Sequence, residues 1–76
     1  MSVRVLFFGQ IAEQHGRREI EVVVGGELTL AALLASLNID SEGLFLLAVN
    51  QQQVDDLSIE IGDGDEVAIM PPFSGG

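Results

Sequence analysis

Thr29-Leu30-Ala31-Ala32-Leu33-Leu34-Ala35-Ser36-Leu37-Asn38 carries leucine at 30, 33, 34 and 37, the i, i+3, i+4, i+7 spacing of one apolar helical stripe. Thr29 suits the N-cap, because its hydroxyl can accept from an unpaired amide of the first turn, and the helix is expected to end near Asn38. The flanking sequence has a different period. Val3-Arg4-Val5-Leu6-Phe7-Phe8 is rich in β-branched and aromatic residues and stops at Gly9, as a first strand does. Gln10 to Gly16 reads as a polar connection with room for one helical turn. Arg18 to Val24 alternates charged and apolar residues, as a second, antiparallel strand with one wet face should, and Gly25-Gly26 closes it.

Beyond the helix, Phe45 to Val49 reads as a third strand, Asn50-Gln51-Gln52-Gln53 as a turn, and Val54 as the start of a short partner. Ile59-Glu60-Ile61 leads into the turn signal Gly62-Asp63-Gly64-Asp65, and Glu66 to Met70 forms the last strand. One main helix crossing a mixed sheet of four to five strands is an α+β arrangement, the β-grasp or ubiquitin-like fold, with the first and last strands side by side in its middle. All 76 residues form one domain, with 71–76 as a flexible C-terminal tail.

A single helix covers only one face of such a sheet. Arg4 marks the solvent side of the first strand, so Val3, Val5 and Phe7 turn toward the helix while Leu6 and Phe8 share the other face. Glu66 likewise sends Val67 and Ile69 inward and Ala68 and Met70 outward. Leu46 and Ala48 are their neighbours on the third strand. The uncovered face thus collects Leu6, Phe8, Leu46, Ala48, Ala68 and Met70, an apolar patch that reads as a docking surface or as a surface covered by the tail or by the 10–16 loop.

Composition narrows the chemistry. Twelve Asp and Glu against Arg4, Arg17 and Arg18 give a formal charge of −9, which disfavours nucleic acid and anionic membranes. Such acidity suits a basic protein partner, or simply solubility. Without cysteine there is no disulfide and no thiol catalysis. No apolar run is long enough to span a membrane and no signal peptide precedes Phe8, so a cytoplasmic protein is expected. His15 has no second ligand at metal-binding spacing, Asp63-Gly64-Asp65-Glu66 lacks the further ligands of a calcium loop, and no metal site is expected. Asp55-Asp56 diverge as neighbours in a turn, Ser74 has no base at recognisable spacing, and no phosphate-binding glycine loop is present. The chain is not expected to bind a cofactor.

What remains is the end, Pro71-Pro72-Phe73-Ser74-Gly75-Gly76. The prolines stop a strand from continuing, and the two glycines, lacking Cβ, fit a channel too narrow for other residues. Extended, these six residues span roughly 20 Å. The terminal carboxylate of Gly76 resists nucleophiles until an enzyme converts it to a mixed anhydride with AMP. The bland alternative is a frayed end. Lysine is absent throughout; compositional chance explains this, as does avoidance of self-acylation by an activated terminus.

Val5-Leu6-Phe7-Phe8-Gly9-Gln10, Ala48-Val49-Asn50-Gln51, Asp63-Gly64-Asp65-Glu66-Val67-Ala68 and the six-residue ending, in that order, resemble the MoaD/ThiS sulfur-carrier family over essentially its full length. The double proline looks more like the molybdopterin synthase branch than the thiamine branch. Two features depart from the family pattern: a short segment between the helix and the third strand, and Gly9 where alanine is common. The resemblance implies a small, non-catalytic carrier subunit whose Gly76 is adenylated by a ubiquitin-activating-enzyme-like adenylyltransferase using ATP. A sulfur donor protein then supplies the thiocarboxylate. It further implies that Pro71, Pro72, Phe73, Ser74 and Gly75 insert into the large subunit of molybdopterin synthase, within a heterotetramer, to deliver sulfur to cyclic pyranopterin monophosphate. A ubiquitin-like protein modifier conjugated through Gly76, or a carrier for another sulfur pathway such as thiamine, is the alternative.

Overall fold

A computed structural model of the chain describes residues 1–39 and 45–71. Strands β1 (Ser2–Phe7), β2 (Glu19–Val23), β4 (Leu46–Val49), β5 (Gln52–Val54) and β7 (Glu66–Met70) form one sheet in the order β2-β1-β7-β4-β5. Two further strands, β3 (Leu28–Thr29) and β6 (Glu60–Ile61), pair with each other alone. Among the described residues two helices accompany the strands, α1 (Gly9–His15) and α2 (Leu30–Ser36). The first and last strands lie parallel in the middle, Val5 beside Val67 and Phe7 beside Ile69, and every other pairing is antiparallel. This is the β-grasp arrangement that the element order predicts.

The leucine stripe of α2 does what its spacing requires. Leu30, Leu33 and Leu34 are completely buried against Val3, Val5, Phe7, Leu47, Val67 and Ile69, and each contributes about 1.5–3 kcal/mol by leaving water. Thr29 caps the helix by accepting from the Ala32 amide at 3.1 Å. At the other end Asn38 turns left-handed (φ 60°), its amide donates to Ala35 and the Ile39 amide donates to Leu34. Asparagine tolerates this conformation better than most residues, which is why the helix stops where the sequence suggests.

Three segments differ from expectation. The expected polar connection with room for one helical turn is the two-turn helix α1 (Gly9–His15): Ile11 and Ala12 pack on the core, and Gly16 closes the last turn at φ 72°, its amide donating to Ala12 and Glu13. The β4–β5 turn is confined to Asn50 and Gln51, both at positive φ (52° and 69°), the geometry of a two-residue hairpin, so that β5 already begins at Gln52. The pairing of β3 with β6 is also absent from the sequence reading.

The end of the sheet opposite Met70 is held by a side-chain network. Asp65 accepts from the Gly62 amide at 2.7 Å and from Asn50 Nδ2 at 3.0 Å, while Asn50 Oδ1 accepts from the Glu66 amide at 2.9 Å. The Gly62 amide, then Asn50, hold the Asp65 carboxyl below its ordinary range. A lowered folded-state value means that the carboxylate stabilises the fold above the unfolded value of about 3.9 and loses that contribution as pH falls through the folded value. At pH 7 Asp65→Asn is therefore expected to melt below the native chain, and the gap should close in acid. Thermal unfolding of both chains from neutral pH downward checks this; a gap independent of pH would refute it.

Candidate functional site

The residue periodicity of β1, β7 and β4 builds one surface. Strand register sets Leu6 beside Ala68 and Ala68 beside Ala48, and Leu46 beside Met70. Phe8 follows β1 in extended conformation (φ −123°, ψ 152°), its amide donating to Ile69 at 3.1 Å. All six apolar residues expected on the uncovered face thus share it. They are not equally accessible. Phe8 is 45% exposed, Leu6, Leu46 and Met70 are half-buried, and Ala48 and Ala68 are only 8% and 9% exposed. The two alanines form a shallow floor because their short side chains lie between longer neighbours. The patch is therefore a ring of larger side chains around a flat centre, more covered than the sequence suggests.

Beyond the patch this face carries a charged cluster, with Ser2, the exposed Val23 and Gln53 at its borders. Arg4 stands between Glu19 (3.4 Å) and Glu66 (3.9 Å), and register puts Glu21 beside Arg4. These ion pairs are exposed, so they contribute little to stability, and they fix the polarity of the surface instead. It is apolar at the pole where Phe8 and Met70 lie and acidic around the Arg4 guanidinium.

The tail is rooted at the apolar pole. Because β1 and β7 run parallel, both leave the sheet at the same end, and Pro71 emerges beside the β1–α1 junction. Pro71 is half-buried. Pro72, Phe73, Ser74, Gly75 and Gly76, the residues to which the sequence assigns insertion and acyl chemistry, lie outside the described residues. Among the described residues no group of His, Cys, Asp or Glu could hold a metal ion. Nor is any helix long and apolar enough to cross a membrane.

Sequence reasoning missed one partner of the tail root. A Cβ built on Gly9 would lie 2.8 Å from Cγ and 3.3 Å from Cδ of Pro71. The glycine that merely ended a strand in the sequence is where another segment approaches its backbone. The departure from the family's alanine marked position 9, but nothing in the sequence pointed to Pro71.

The ThiS family model matches residues 5–76. A protein of Drosophila melanogaster named molybdopterin synthase sulfur carrier subunit is 38% identical, with 100% of this chain and 92% of that protein covered. Among solved structures, SAMP1 from Haloferax volcanii superposes with a TM-score of 0.84 at 26% identity, with both chains covered completely. A chain from the complex of subunits 1 and 2 of the molybdopterin-converting factor of Helicobacter pylori superposes with a TM-score of 0.73 at 28% identity, again with full coverage of both.

Proposed function

The chain belongs to the ThiS family, and from that premise we propose that it is the sulfur carrier of molybdopterin synthesis, working in the cytoplasm as the small subunit of the synthase. The observation that carries this reading is geometric. The parallel pairing of β1 and β7 roots the tail beside the apolar pole of the open sheet face, so one partner surface can grip the face and receive the tail at the same time. The full-length likeness to a molybdopterin synthase sulfur carrier subunit and to one chain of a two-subunit complex supports it.

The chemistry belongs to the terminal carboxylate of Gly76. An adenylyltransferase related to ubiquitin-activating enzymes takes the carboxylate oxygen onto the α-phosphate of ATP and releases pyrophosphate. The outer sulfur of a donor protein's persulfide then attacks the acyl carbon and expels AMP, and a thiol reductant cleaves the resulting acyl disulfide, leaving a thiocarboxylate and the donor's free thiol. With Gly75 and Gly76 lacking Cβ, the acyl carbon is unshielded toward both reagents. Leu6, Phe8, Leu46 and Met70, over the floor of Ala48 and Ala68, dock on the large subunit while residues 71–76 enter its active site. There the sulfur passes to cyclic pyranopterin monophosphate and the carboxylate is regenerated. Two carriers on a dimer of large subunits make the heterotetramer. The acidic charge of −9 directs encounter toward basic partner surfaces.

Incubation with the activating enzyme, ATP and a sulfur donor tests the proposal. The expected product is a chain in which one oxygen of the Gly76 carboxylate is exchanged for sulfur, heavier by the difference between the two atoms, and competent to convert the pterin precursor when the large subunit is added. Amide conjugates on other proteins in place of that product would identify a protein modifier instead.

A further inference from the structure

The rungs between β1 and β7 end abruptly, and the reason lies in two residues. In a parallel ladder a residue donates to one carbonyl of its neighbour strand and accepts from the amide two positions further on. Arg4 donates to Asp65, and Phe8 donates to Ile69 at 3.1 Å, so the next rung would need an N–H at position 71. Position 71 is proline, which has none. The Phe8 carbonyl instead accepts from the Ile11 amide at 3.2 Å, inside the first turn of α1. Gly9, between these points, takes φ 57° and brings its backbone against the Pro71 ring, so close that a Cβ would sit 2.8 Å from Cγ. Real side chains almost never approach so near, and the neighbour that would have to yield is a stiff ring one bond from the tail.

We infer that Gly9 is a positioning residue: its bare Cα seats the Pro71 ring, and that seat fixes where and in which direction the tail leaves the domain. The proposal rests on the carrier reading for its catalytic consequence, but its structural content stands apart from activity. At the φ of 57° that Gly9 holds, a Cβ has no room beside Pro71 and displaces its ring, the first residue of the tail. The docking face is untouched. Because an acyl group misplaced by about 1 Å can cost as much as a hundredfold in rate, sulfur transfer slows while binding holds.

Two replacements separate this contact from backbone strain. Gly9→Asn adds a Cβ in a residue that accepts positive φ, as Asn38 and Asn50 do in this chain. A D-alanine in place of Gly9, accessible by total synthesis of 76 residues, accepts the same φ and carries its methyl at the other Hα position, not at the one that meets Pro71. Since the chain lacks cysteine, Ser74→Cys provides a unique site for a nitroxide whose broadening of the domain amides reports tail direction. Gly9→Asn is expected to redistribute that broadening and to slow single-turnover sulfur transfer by about tenfold to a hundredfold, with half-saturation by the large subunit little changed. The D-alanine chain should match the native one in both. Pro71→Ala, which deletes the ring from the other side of the contact, should also redistribute the label and covers the case of a Gly9→Asn chain that does not fold. An unchanged label pattern in Gly9→Asn or Pro71→Ala, or a D-alanine chain that shifts as far as the asparagine one, overturns the inference. A native chain that never acquires sulfur would instead overturn the carrier reading and leave the label experiment to decide this one.

Discussion

Deleting Gly76 is expected to abolish sulfur loading while leaving the domain folded. The deletion still leaves a carboxylate, now on Gly75, with the same intrinsic acidity and the same glycine character. What changes is reach: the acyl carbon retreats by about 3.3–3.6 Å, the length of one extended residue. Adenylation requires that carboxylate within attacking distance of the ATP α-phosphate, and reacting atoms must lie about 3–3.5 Å apart with aligned orbitals. A retreat as large as that distance removes the near-attack geometry entirely, so activity should fall by more than the ~100-fold that follows a 1 Å error. The core is built from residues 3 to 69 and is not touched, so the melting temperature should be unchanged. Mass spectrometry of the deleted chain after incubation with activating enzyme, ATP and sulfur donor decides the matter. A thiocarboxylate on Gly75 at native yield would mean that reach is not what the tail supplies.

Phe8→Asp is expected to weaken docking on the large subunit by roughly 100-fold, about 3 kcal/mol, in the range of a central aromatic anchor. Phe8 is the most exposed aromatic side chain described, at 45%, and its backbone is ordinary extended chain, so aspartate fits without disturbing the sheet. Two electrostatic effects oppose each other. One more negative charge strengthens long-range attraction to a basic partner, but exposed charges beyond about 8–10 Å are largely screened at physiological salt. Burying an unpaired carboxylate in an apolar contact costs several kcal/mol, and this effect wins. Calorimetric titration of the large subunit would show it, accompanied by an unchanged melting temperature. Native affinity in this variant would move the docking surface elsewhere on the molecule.

The inward and outward faces of the sheet were legible because a single charged residue per strand sets the phase of a period-two pattern. Arg4 placed Val3, Val5 and Phe7 inside, Glu66 placed Val67 and Ile69 inside, and all five are buried. The α2 stripe was legible for the equivalent reason at period 3.6. Helix α1 was not: Gln10, Glu13, Gln14 and His15 outnumber Ile11 and Ala12, no side chain caps its start, and it persists because those two apolar residues reach the core. Such a helix is a tertiary product that no local pattern announces. The two-residue strands failed similarly, since Leu28 and Thr29 acquire their pairing from Ile61 and Glu60 far along the chain. At the site, the members of the apolar face could be named from alternation, but their accessibility depended on side-chain length across strands. The contact between Gly9 and Pro71 joins residues so distant in sequence that only the parallel ladder reveals it.

The central position of β7 has a consequence for biogenesis. Its neighbours on both sides, β1 and β4, are translated earlier and cannot join into one sheet until Glu66 to Met70 have been made. Closing that long-range pairing is slow relative to local helix formation. A ribosome that stalls before this segment releases a polypeptide with its hydrophobic interior open, ready for degradation. Structural maturity thereby waits on the synthesis of β7, and a chain folded well enough to be recognised by its partners has been read through at least to Met70.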